Sequence, residues 1–408
     1  MPIPNAAITR QANVQFATVM STYWISFFSI AGFTVVLLQS KNFTDSEIGI
    51  LLALQSFASI ISQPIISGFA GKNPHIPLKR IIAVLLFAAA VIVSILYFLP
   101  HIFLLGALIF VFIGMTQMSA PSLMNAVAMQ LTNAGIPINY GAARGIGSLS
   151  FAVAGLLLGK LVDISGINTI IPVFVIFALI TGFLMLRLRK PEMPADPTKL
   201  DLIQTSVLPK QSSLFAFLKN NRAYTGFCIA SVFLFGSHAC INSFLPNIMD
   251  SLGGSLTDQG ITRSLAASVE LPIMFFYSVL ATRINTHKLL IVSAFSFFLK
   301  ALATLLVPSI GFLFAIQILQ MPAFGLYAPT AVHFSDHSVS DADRIRSQAI
   351  AMVAGIGMGN VIGNLGGGFV LDIWGLDRLL LLSTVLAAIG CTIMFIVLYE
   401  KSPRQALV

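Results

Sequence analysis

The 408-residue sequence has few charged residues: only 9% of its side chains are Asp, Glu, Lys or Arg, while 57% are hydrophobic. A soluble domain carries about 25% charged residues. The shortage of charge excludes a soluble globular protein, and the mean hydropathy of +0.91 indicates a chain that crosses a bilayer several times. The net charge of +8, which would point to nucleic acid in a soluble protein, here reports how the membrane segments are oriented.

Cysteine is also scarce. Cys228, Cys240 and Cys391 are the only three cysteines, and they lie within apolar runs without metal-ligand spacing. This gives almost no support to a disulfide framework or a zinc site. No nucleophile beside a base and no metal-binding cluster stands out in the sequence. We therefore expect neither an enzyme nor a cofactor-binding protein.

Apolar runs of about 20 residues, the length that crosses a bilayer as a helix, recur along the chain. They predict six spans at roughly 14–38, 46–70, 79–99, 103–130, 140–163 and 168–188. Six more are predicted at roughly 222–249, 258–281, 287–307, 309–334, 346–371 and 376–399. The predicted fold is an all-α integral membrane protein with twelve transmembrane helices in two pseudo-symmetric six-helix bundles, residues 1–190 and 222–408. A cytoplasmic linker, 191–221, joins them. It is either a plain linker throughout or contains a short amphipathic helix around 213–220.

The two predicted halves repeat each other in sequence. The segment TDSEIG at 44–49 opens span 2 and matches TDQGI at 257–261, which opens span 8. The segment LVDISG at 161–166 follows span 5 and matches VLDIWG at 370–375, which follows span 11. Two matches at equivalent ends of equivalent spans predict a duplicated transporter fold.

Lysine and arginine are unevenly distributed between the two sides of the predicted membrane region. One side holds only Lys41, Lys160, Arg263 and Arg378, and the other holds the remaining loop cations and the basic linker. Loops rich in lysine and arginine stay in the cytoplasm. We expect a monomeric plasma-membrane protein with both termini cytoplasmic and without a cleaved signal segment.

Three charged residues are predicted well inside the spans, namely Arg144, Glu270 and Lys300. A charge at mid-membrane costs roughly 2.5 to 3.5 kcal/mol on insertion scales, so such residues are usually functional. Glu270 in span 8 and Lys300 in span 9 are predicted at similar depth, where they would tend to pair. The pair serves either proton coupling or static cohesion of the two spans. Arg144 either faces a cavity or extends to the lipid headgroups.

Four uncharged polar residues are further candidates for contact with a solute: Asn125, His238, Asn242 and Gln320. His238 and Asn242 are four residues apart and share a face of span 7. Hydrogen bonding between helices is the alternative use of each of them. The glycine run from Gly355 to Gly368 in span 11 predicts close packing or a bend.

Two motifs resemble a known family. They are Tyr140-Gly141-x-x-Arg144-x-x-Gly147-Ser148 in span 5 and Glu270-Leu271-Pro272-x-Met274-Phe275 in span 8. With the two sets of six spans, they resemble the major facilitator superfamily over essentially the whole chain, and within it the branch that holds lactose, nucleoside and phenylpropionate permeases. The resemblance implies secondary transport by alternating access, in which Arg144 contacts solute and Glu270 joins solute binding to proton coupling.

The sequence departs from lactose permease at several of these positions. Gln320 and Ala323 stand where that permease has a histidine and its proton-carrying glutamate, and Asn125 stands where it has a sugar-binding acid. Lys300 falls at the place of an arginine linked to deprotonation of the proton site. The resemblance therefore implies either coupling through Glu270 alone or uncoupled transport, and it argues against galactoside recognition.

We predict proton-coupled uptake of a small polar organic solute, such as a sugar or a nucleoside. The alternatives are a proton-driven exporter of drugs or metabolites and an uncoupled facilitator. Exporters usually carry Gly-Pro-x-x-Gly-Gly in span 5, where this chain has AGLLLG at 154–159. A membrane sensor or scaffold would need no buried charges. The expected partners are the solute, protons and the lipid bilayer, without nucleic acid.

Overall fold

The computed structural model describes residues 6–73, 75–188, 214–340 and 343–399, which form helices joined by turns and loops. Eleven of these helices are long and apolar enough to cross a bilayer, and Leu256–Arg283, which bends by 50° between Ile273 and Phe275, makes a twelfth. A helix satisfies its backbone N–H and C=O groups internally, as a segment in lipid requires. The prediction of an all-α integral membrane protein is confirmed.

The spans keep the numbers of the sequence prediction. Spans 1 to 6 are Ile8–Ala31, Asp45–Lys72, Leu78–Phe98, Phe103–Asn133, Tyr140–Ser165 and Ile167–Arg187. Spans 7 to 12 are Arg222–Ser243, Leu256–Arg283, Thr286–Leu305, Ile310–His337, Arg346–Trp374 and Leu376–Tyr399. Short helices cover Thr34–Gln39, Leu214–Asn220 and Leu245–Ser251. Most of the predicted linker, 191–213, lies outside the described residues.

Contacts group the described residues into two compact units. The first unit contains those within Met1–Phe43, Leu54–Ile203 and Ser255–Ala267. The second contains those within Thr44–Ala53, Gln204–Gly254 and Ser268–Val408. This grouping differs from a division of the chain at the linker only in the first parts of spans 2 and 8.

Each unit has its own apolar core. The core of the first unit includes Phe16 and Tyr23 of span 1, which pack with Ile82 and Met124 of spans 3 and 4. The second unit has two buried clusters: aromatic side chains of spans 7, 9 and 10 dominate one, and aliphatic side chains near the other ends of spans 7, 10 and 12 form the second. Large apolar side chains are exposed as well, such as Phe98, Leu157 and Phe276. An outer surface of this kind suits contact with lipid rather than water.

The matching sequence segments adopt matching structures. Gly166 directly follows span 5 with φ at 82°, and Gly375 directly follows span 11 with φ at 80°, a conformation that favours glycine. Spans 2 and 8 both open with a capping box. Thr44 and Glu47 exchange two hydrogen bonds of 2.9 and 3.2 Å, and the exchange between Ser255 and Asp258 includes bonds of 2.9 and 3.1 Å.

Within the first unit, Asp163 of the LVDISG segment adds a second cap to span 8. Its carboxylate accepts hydrogen bonds from the backbone N–H groups of Leu256 at 3.2 Å and Thr257 at 2.8 Å, and from the Thr257 hydroxyl. The backbones of spans 5 and 8 touch nearby, since a Cβ at Gly260 would lie 2.2 Å from the carbonyl oxygen of Gly155. The carboxylate therefore fixes the start of span 8 against the end of span 5.

Asp163→Ala should lower the stability of the folded protein, because it removes the acceptor for orphan N–H groups at the start of span 8. The expected loss is about 1 kcal/mol, the usual effect of deleting a helix cap. Asp372→Ala is the matched control, since Asp372 is the repeat equivalent and is exposed. Thermal unfolding in detergent measures both variants, and equal melting temperatures would contradict the capping role.

Candidate functional site

Span 10 changes helix type near its middle. An α-helix over Ile310–Ile316 tightens to a 3-10 turn at Gln317–Gln320 and then widens to a π-helix at Met321–Gly325, before Leu326–His337 resumes the α-helix. Pro322 lies within the π-helical segment and has no N–H to donate. Such segments often mark functional sites in helices. The sequence motif LQMPA of span 10 thus lies on irregular backbone at mid-span.

Gln320 connects Glu270 of span 8 with Lys300 of span 9. The Lys300 ammonium donates to Oε1 of Gln320 at 2.5 Å, and Nε2 of Gln320 donates to Oε1 of Glu270 at 2.8 Å. The Lys300 and Gln320 side chains are only 3% and 5% exposed, and Glu270 is half-buried. The amide thus presents its oxygen to the cation and its N–H to the anion. Charge-assisted hydrogen bonds of this kind are stronger than neutral ones.

Close packing of spans 8, 9 and 10 holds these groups together. A Cβ at Gly325 would lie 2.8 Å from Cγ2 of Ile273 and 3.4 Å from Cα of Glu270, so a larger residue at 325 would force spans 8 and 10 apart. Ser293 of span 9 donates its hydroxyl to the carbonyl oxygen of Ala323 at 2.8 Å, within the π-helical segment. A side chain therefore satisfies one backbone group where the helix is irregular.

Span 11 contains a second π-helical segment, Val353–Gly359. Its glycines lie against span 7: a Cβ at Gly359 would lie 2.5 Å from Cβ of Phe235, and one at Gly363 would lie 2.3 Å from the carbonyl oxygen of Gly236. The glycine run therefore gives close packing, as the sequence predicted, and also a local change of helix type.

His238 and Asn242 occupy the same side of span 7 but make different contacts. The His238 ring stacks on Phe324 with centroids 5.6 Å apart and planes at 8°, and it meets Phe297 edge-on at 5.6 Å. Phe324 belongs to the π-helical segment of span 10. The Asn242 amide donates to the carbonyl oxygen of His238 in its own helix at 3.0 Å. A solute-binding role for these two residues stays a prediction.

In the first unit, Arg144 lies one turn inside span 5 and stacks on an aromatic ring of span 1. Its guanidinium carbon is 4.1 Å from the centroid of the Trp24 indole. Both side chains are half-buried. The contact has the geometry of a cation–π interaction. Arg144 is therefore placed against protein side chains.

Asn125 pairs with the residue that opens span 5. The Tyr140 hydroxyl donates to Oδ1 of Asn125 at 2.6 Å, which joins spans 4 and 5. Asn125 is exposed in the structure. Its side chain therefore lies at a surface of the protein. Contact with solute stays a prediction for this residue as well.

The structure groups the predicted residues by unit: Glu270, Gln320 and Lys300 form one chain of hydrogen bonds, His238 packs on span 10, and Arg144 and Asn125 belong to the first unit. Sequence reasoning missed Trp24, although it is one of only two tryptophans in the chain. It placed Arg263 on the external side of span 8 and counted it with the cations outside the membrane core, whereas the structure shows this residue half-buried in span 8 with its Nε enclosed. Among the described residues, no group of three or more His, Cys, Asp or Glu is placed to hold a metal ion.

Charged residues within membrane spans commonly mark the pathways of solutes and ions, and their linkage at mid-span here points to the class of solute transporters. The sequence model of the MFS_1 like family matches residues 18–382. The chain belongs to this family of the major facilitator superfamily. It is therefore an integral membrane transporter of small molecules and not an enzyme.

Similar proteins agree with this assignment. The maltose permease of Geobacillus stearothermophilus is 26% identical over 392 residues, which cover 94% of each chain. A solved structure of the nucleoside transporter NupG, in its D323A mutant, has a TM-score of 0.77 at 16% identity and covers 96% of this chain and 100% of its own. A bacterial homologue of the human lysosomal transporter Spinster has a TM-score of 0.69 at 13% identity, covering 97% and 98%. The structural matches show the fold alone.

Gln320→Leu should destabilise the protein, because it leaves Lys300 and Glu270 without the amide that connects them. Hydrogen bonds to charged groups contribute about 1.5 to 3 kcal/mol, and the loss should approach that range. Gln317→Leu is the matched control: Gln317 is a buried amide of the same 3-10 turn that donates to Leu313 in its own helix. Thermal unfolding in detergent should place the Gln320 variant well below the control. Equal melting temperatures would show that the bridge is energetically unimportant.

Proposed function

We propose that this transporter couples the uptake of a small polar organic solute to protons by alternating access, and that Glu270 carries the proton. A sugar is the first solute class to test and a nucleoside the second, because the maltose permease and NupG are named for these two classes. The proposal places the protein in the plasma membrane as a monomer with both termini in the cytoplasm. The distribution of Lys and Arg supports that orientation.

The observation that carries the proposal is the chain from Lys300 through Gln320 to Glu270. Glu270 lies midway along Leu256–Arg283, and it is the one acidic residue far from both ends of a span in the part of the chain that the structure describes. A carboxylate accepts hydrogen bonds only, whereas a protonated carboxyl group also donates one. Protonation of Glu270 therefore changes which hydrogen bonds the chain can make.

Coupling of solute transport to protons requires that protonation change the hydrogen bonds of the site. With Glu270 ionised, the Gln320 amide has a donor and an acceptor each matched to a charged group. With Glu270 protonated, the Lys300 charge loses the anion at the other end of the chain, and the buried cation needs compensation from elsewhere. Solute binding and proton binding can then influence each other through Gln320, whose side chain both steps would move.

Solute recognition in the proposal involves Arg144, with Asn125, His238, Asn242 and Gln320 as further contacts. Guanidinium and amide groups bind hydroxyl and carbonyl oxygens, which sugars and nucleosides offer in number. Asn125 is neutral and already paired with Tyr140, so the first unit offers an amide where lactose permease has an acid. The chemistry favours solutes that present several oxygens.

Uncoupled facilitation is a second candidate, and a specific observation favours it. Gln320 and Ala323 of span 10 are both uncharged, so neither position supplies a second acid beside Glu270. If Lys300 and Gln320 hold Glu270 ionised throughout transport, the solute would move down its own gradient. The two functions differ in whether an acidic exterior drives accumulation.

Glu270→Gln should abolish accumulation driven by an acidic exterior, because the amide cannot take up a proton. Exchange of solute across the membrane without a gradient should persist. The measurement is uptake of maltose and uridine into proteoliposomes under an imposed pH gradient, with counterflow as the readout of exchange.

The matched control is Glu47→Gln, the same chemical change in the capping box of span 2, where Gln can replace Glu. This variant should accumulate solute like the unaltered protein. Normal accumulation by Glu270→Gln would remove Glu270 from the coupling mechanism. Exchange without accumulation in the unaltered protein would favour the facilitator.

A further inference from the structure

In the first unit, the Arg144 guanidinium covers one face of the Trp24 ring. Contacts other than this one also fix the position of the ring. A Cβ at Gly147, one turn after Arg144, would lie 2.5 Å from Cδ1 of Trp24, so only glycine leaves room for the indole against span 5. One turn further along, the hydroxyls of Ser21 and Ser150 lie 2.7 Å apart and join spans 1 and 5. The indole therefore lies in a fixed slot between the two helices.

Other aromatic rings fix the orientation of the indole within this slot. The ring of Trp24 meets Tyr23, Phe27 and Phe151 at interplanar angles of 86°, 60° and 72°, with centroids 5.5, 5.2 and 6.2 Å apart. Edge-on arrangements of this kind are the favoured geometry of aromatic pairs. The position of the indole is thus set by three neighbours on spans 1 and 5, and its face can act as a rigid support.

Stacking on an aromatic ring does not use the hydrogen-bond donors of a guanidinium. The five N–H donors of a guanidinium lie in its plane and point outward from its edge, whereas stacking uses only its face. Trp24 therefore holds the cation without consuming a donor. A carboxylate partner, by contrast, would occupy two donors in a bidentate contact.

Stacking on Trp24 also competes with a second conformation of the Arg144 side chain. An arginine one turn inside a span can extend along the helix and place its charge among the lipid headgroups. A cation–π contact contributes from about 0.5 kcal/mol at exposed sites to 2 kcal/mol where water is excluded. A contact of that size shifts the side chain toward the stacked arrangement.

We propose that Trp24 is a positioning residue that holds the Arg144 guanidinium flat, so that its edge forms a preset bidentate donor for two neighbouring oxygens of the solute. Adjacent hydroxyls of a sugar ring or of a ribose have the required spacing. The solute part of this inference rests on the proposed function, because it takes Arg144 as a solute contact. The support of Arg144 by Trp24 does not depend on proton coupling.

The chain allows the support to be measured directly. Trp374, 65% exposed at the end of span 11, is the only other tryptophan, so Trp374→Phe leaves Trp24 as the sole indole. In that background, Arg144→Gln should shift the emission of Trp24 and increase its quenching by acrylamide, because the cation no longer covers the ring. The matched control is Arg80→Gln, at an exposed arginine in the first turn of span 3. Unchanged emission and quenching in Arg144→Gln would overturn the proposal.

Transport kinetics test whether the stacking of Arg144 on Trp24 affects the binding of solute. In counterflow of maltose or uridine, which needs no proton gradient, Trp24→Leu should raise the KM by about 2- to 30-fold with little change in maximal rate. Trp24→Phe, which keeps a weaker aromatic face, should fall between Trp24→Leu and the unaltered protein. In an Arg144→Lys background, where no planar edge remains to be positioned, Trp24→Leu should have little further effect.

The outcomes separate this proposal from the proposed function. If Trp24→Leu has the same effect with Arg144 present as in the Arg144→Lys background, or lowers the maximal rate with unchanged KM, the indole only packs the helices and the positioning role is overturned. A protein that exchanges solute without accumulating it would contradict proton coupling and leave the kinetic test intact. If neither maltose nor uridine is exchanged, changed emission and quenching of Trp24 in Arg144→Gln would still support the positioning role, and unchanged emission and quenching would overturn it.

Discussion

The buried ammonium group of Lys300 is the constraint on which the second unit depends. A cation that is 3% exposed within a membrane span has lost its hydration and must recover that free energy from the protein. Gln320 supplies the acceptor, and Glu270 supplies an anion behind it. The amide reaches both groups from a 3-10 turn that passes into a π-helix, and that backbone in turn requires Gly325 and the hydroxyl of Ser293. The irregular part of span 10 and the buried charge therefore belong to one arrangement.

The internal sequence repeat explains how equivalent spans begin and end, whereas Glu270 and Arg144 lie at positions where the two halves differ. Equivalent glycines directly follow spans 5 and 11, and capping boxes open spans 2 and 8. In the register of these segments, Glu270 is equivalent to Phe57 and Arg144 to Val353. Phe57 is an exposed apolar side chain, and Val353 opens the π-helical segment of span 11. Duplication thus accounts for the ends of the spans, whereas Glu270 and Arg144 have no charged counterpart in the other half.

The sequence predicted the features that depend on local composition. Runs of apolar residues gave the spans, and the rarity of charge singled out Arg144, Glu270 and Lys300, because burial of charge is costly in any surroundings. The hydrogen bonds that join Lys300 to Glu270 through Gln320 were not predictable from the sequence. A 3-10 turn followed by a π-helix changes which side chains of span 10 share a face, because the 3.6-residue period of an α-helix no longer applies there. Trp24 was missed for a different reason. Its contact with Arg144 depends on a glycine more than a hundred residues away in the chain.

The two units hold their cations by different chemistry, and the difference bears on what each cation can do. Lys300 is buried and bonded to an amide oxygen that belongs to the chain leading to Glu270, so its charge is sensitive to any change in that chain. Arg144 rests on an aromatic face, which binds the charge without engaging the edge donors. A lysine in place of Arg144 would keep the charge but lose the planar edge, and an arginine in place of Lys300 would need acceptors for five donors rather than three. The residue types therefore match the division proposed here: Arg144 for contact with solute oxygens, and Lys300 for the charge balance that protonation of Glu270 alters.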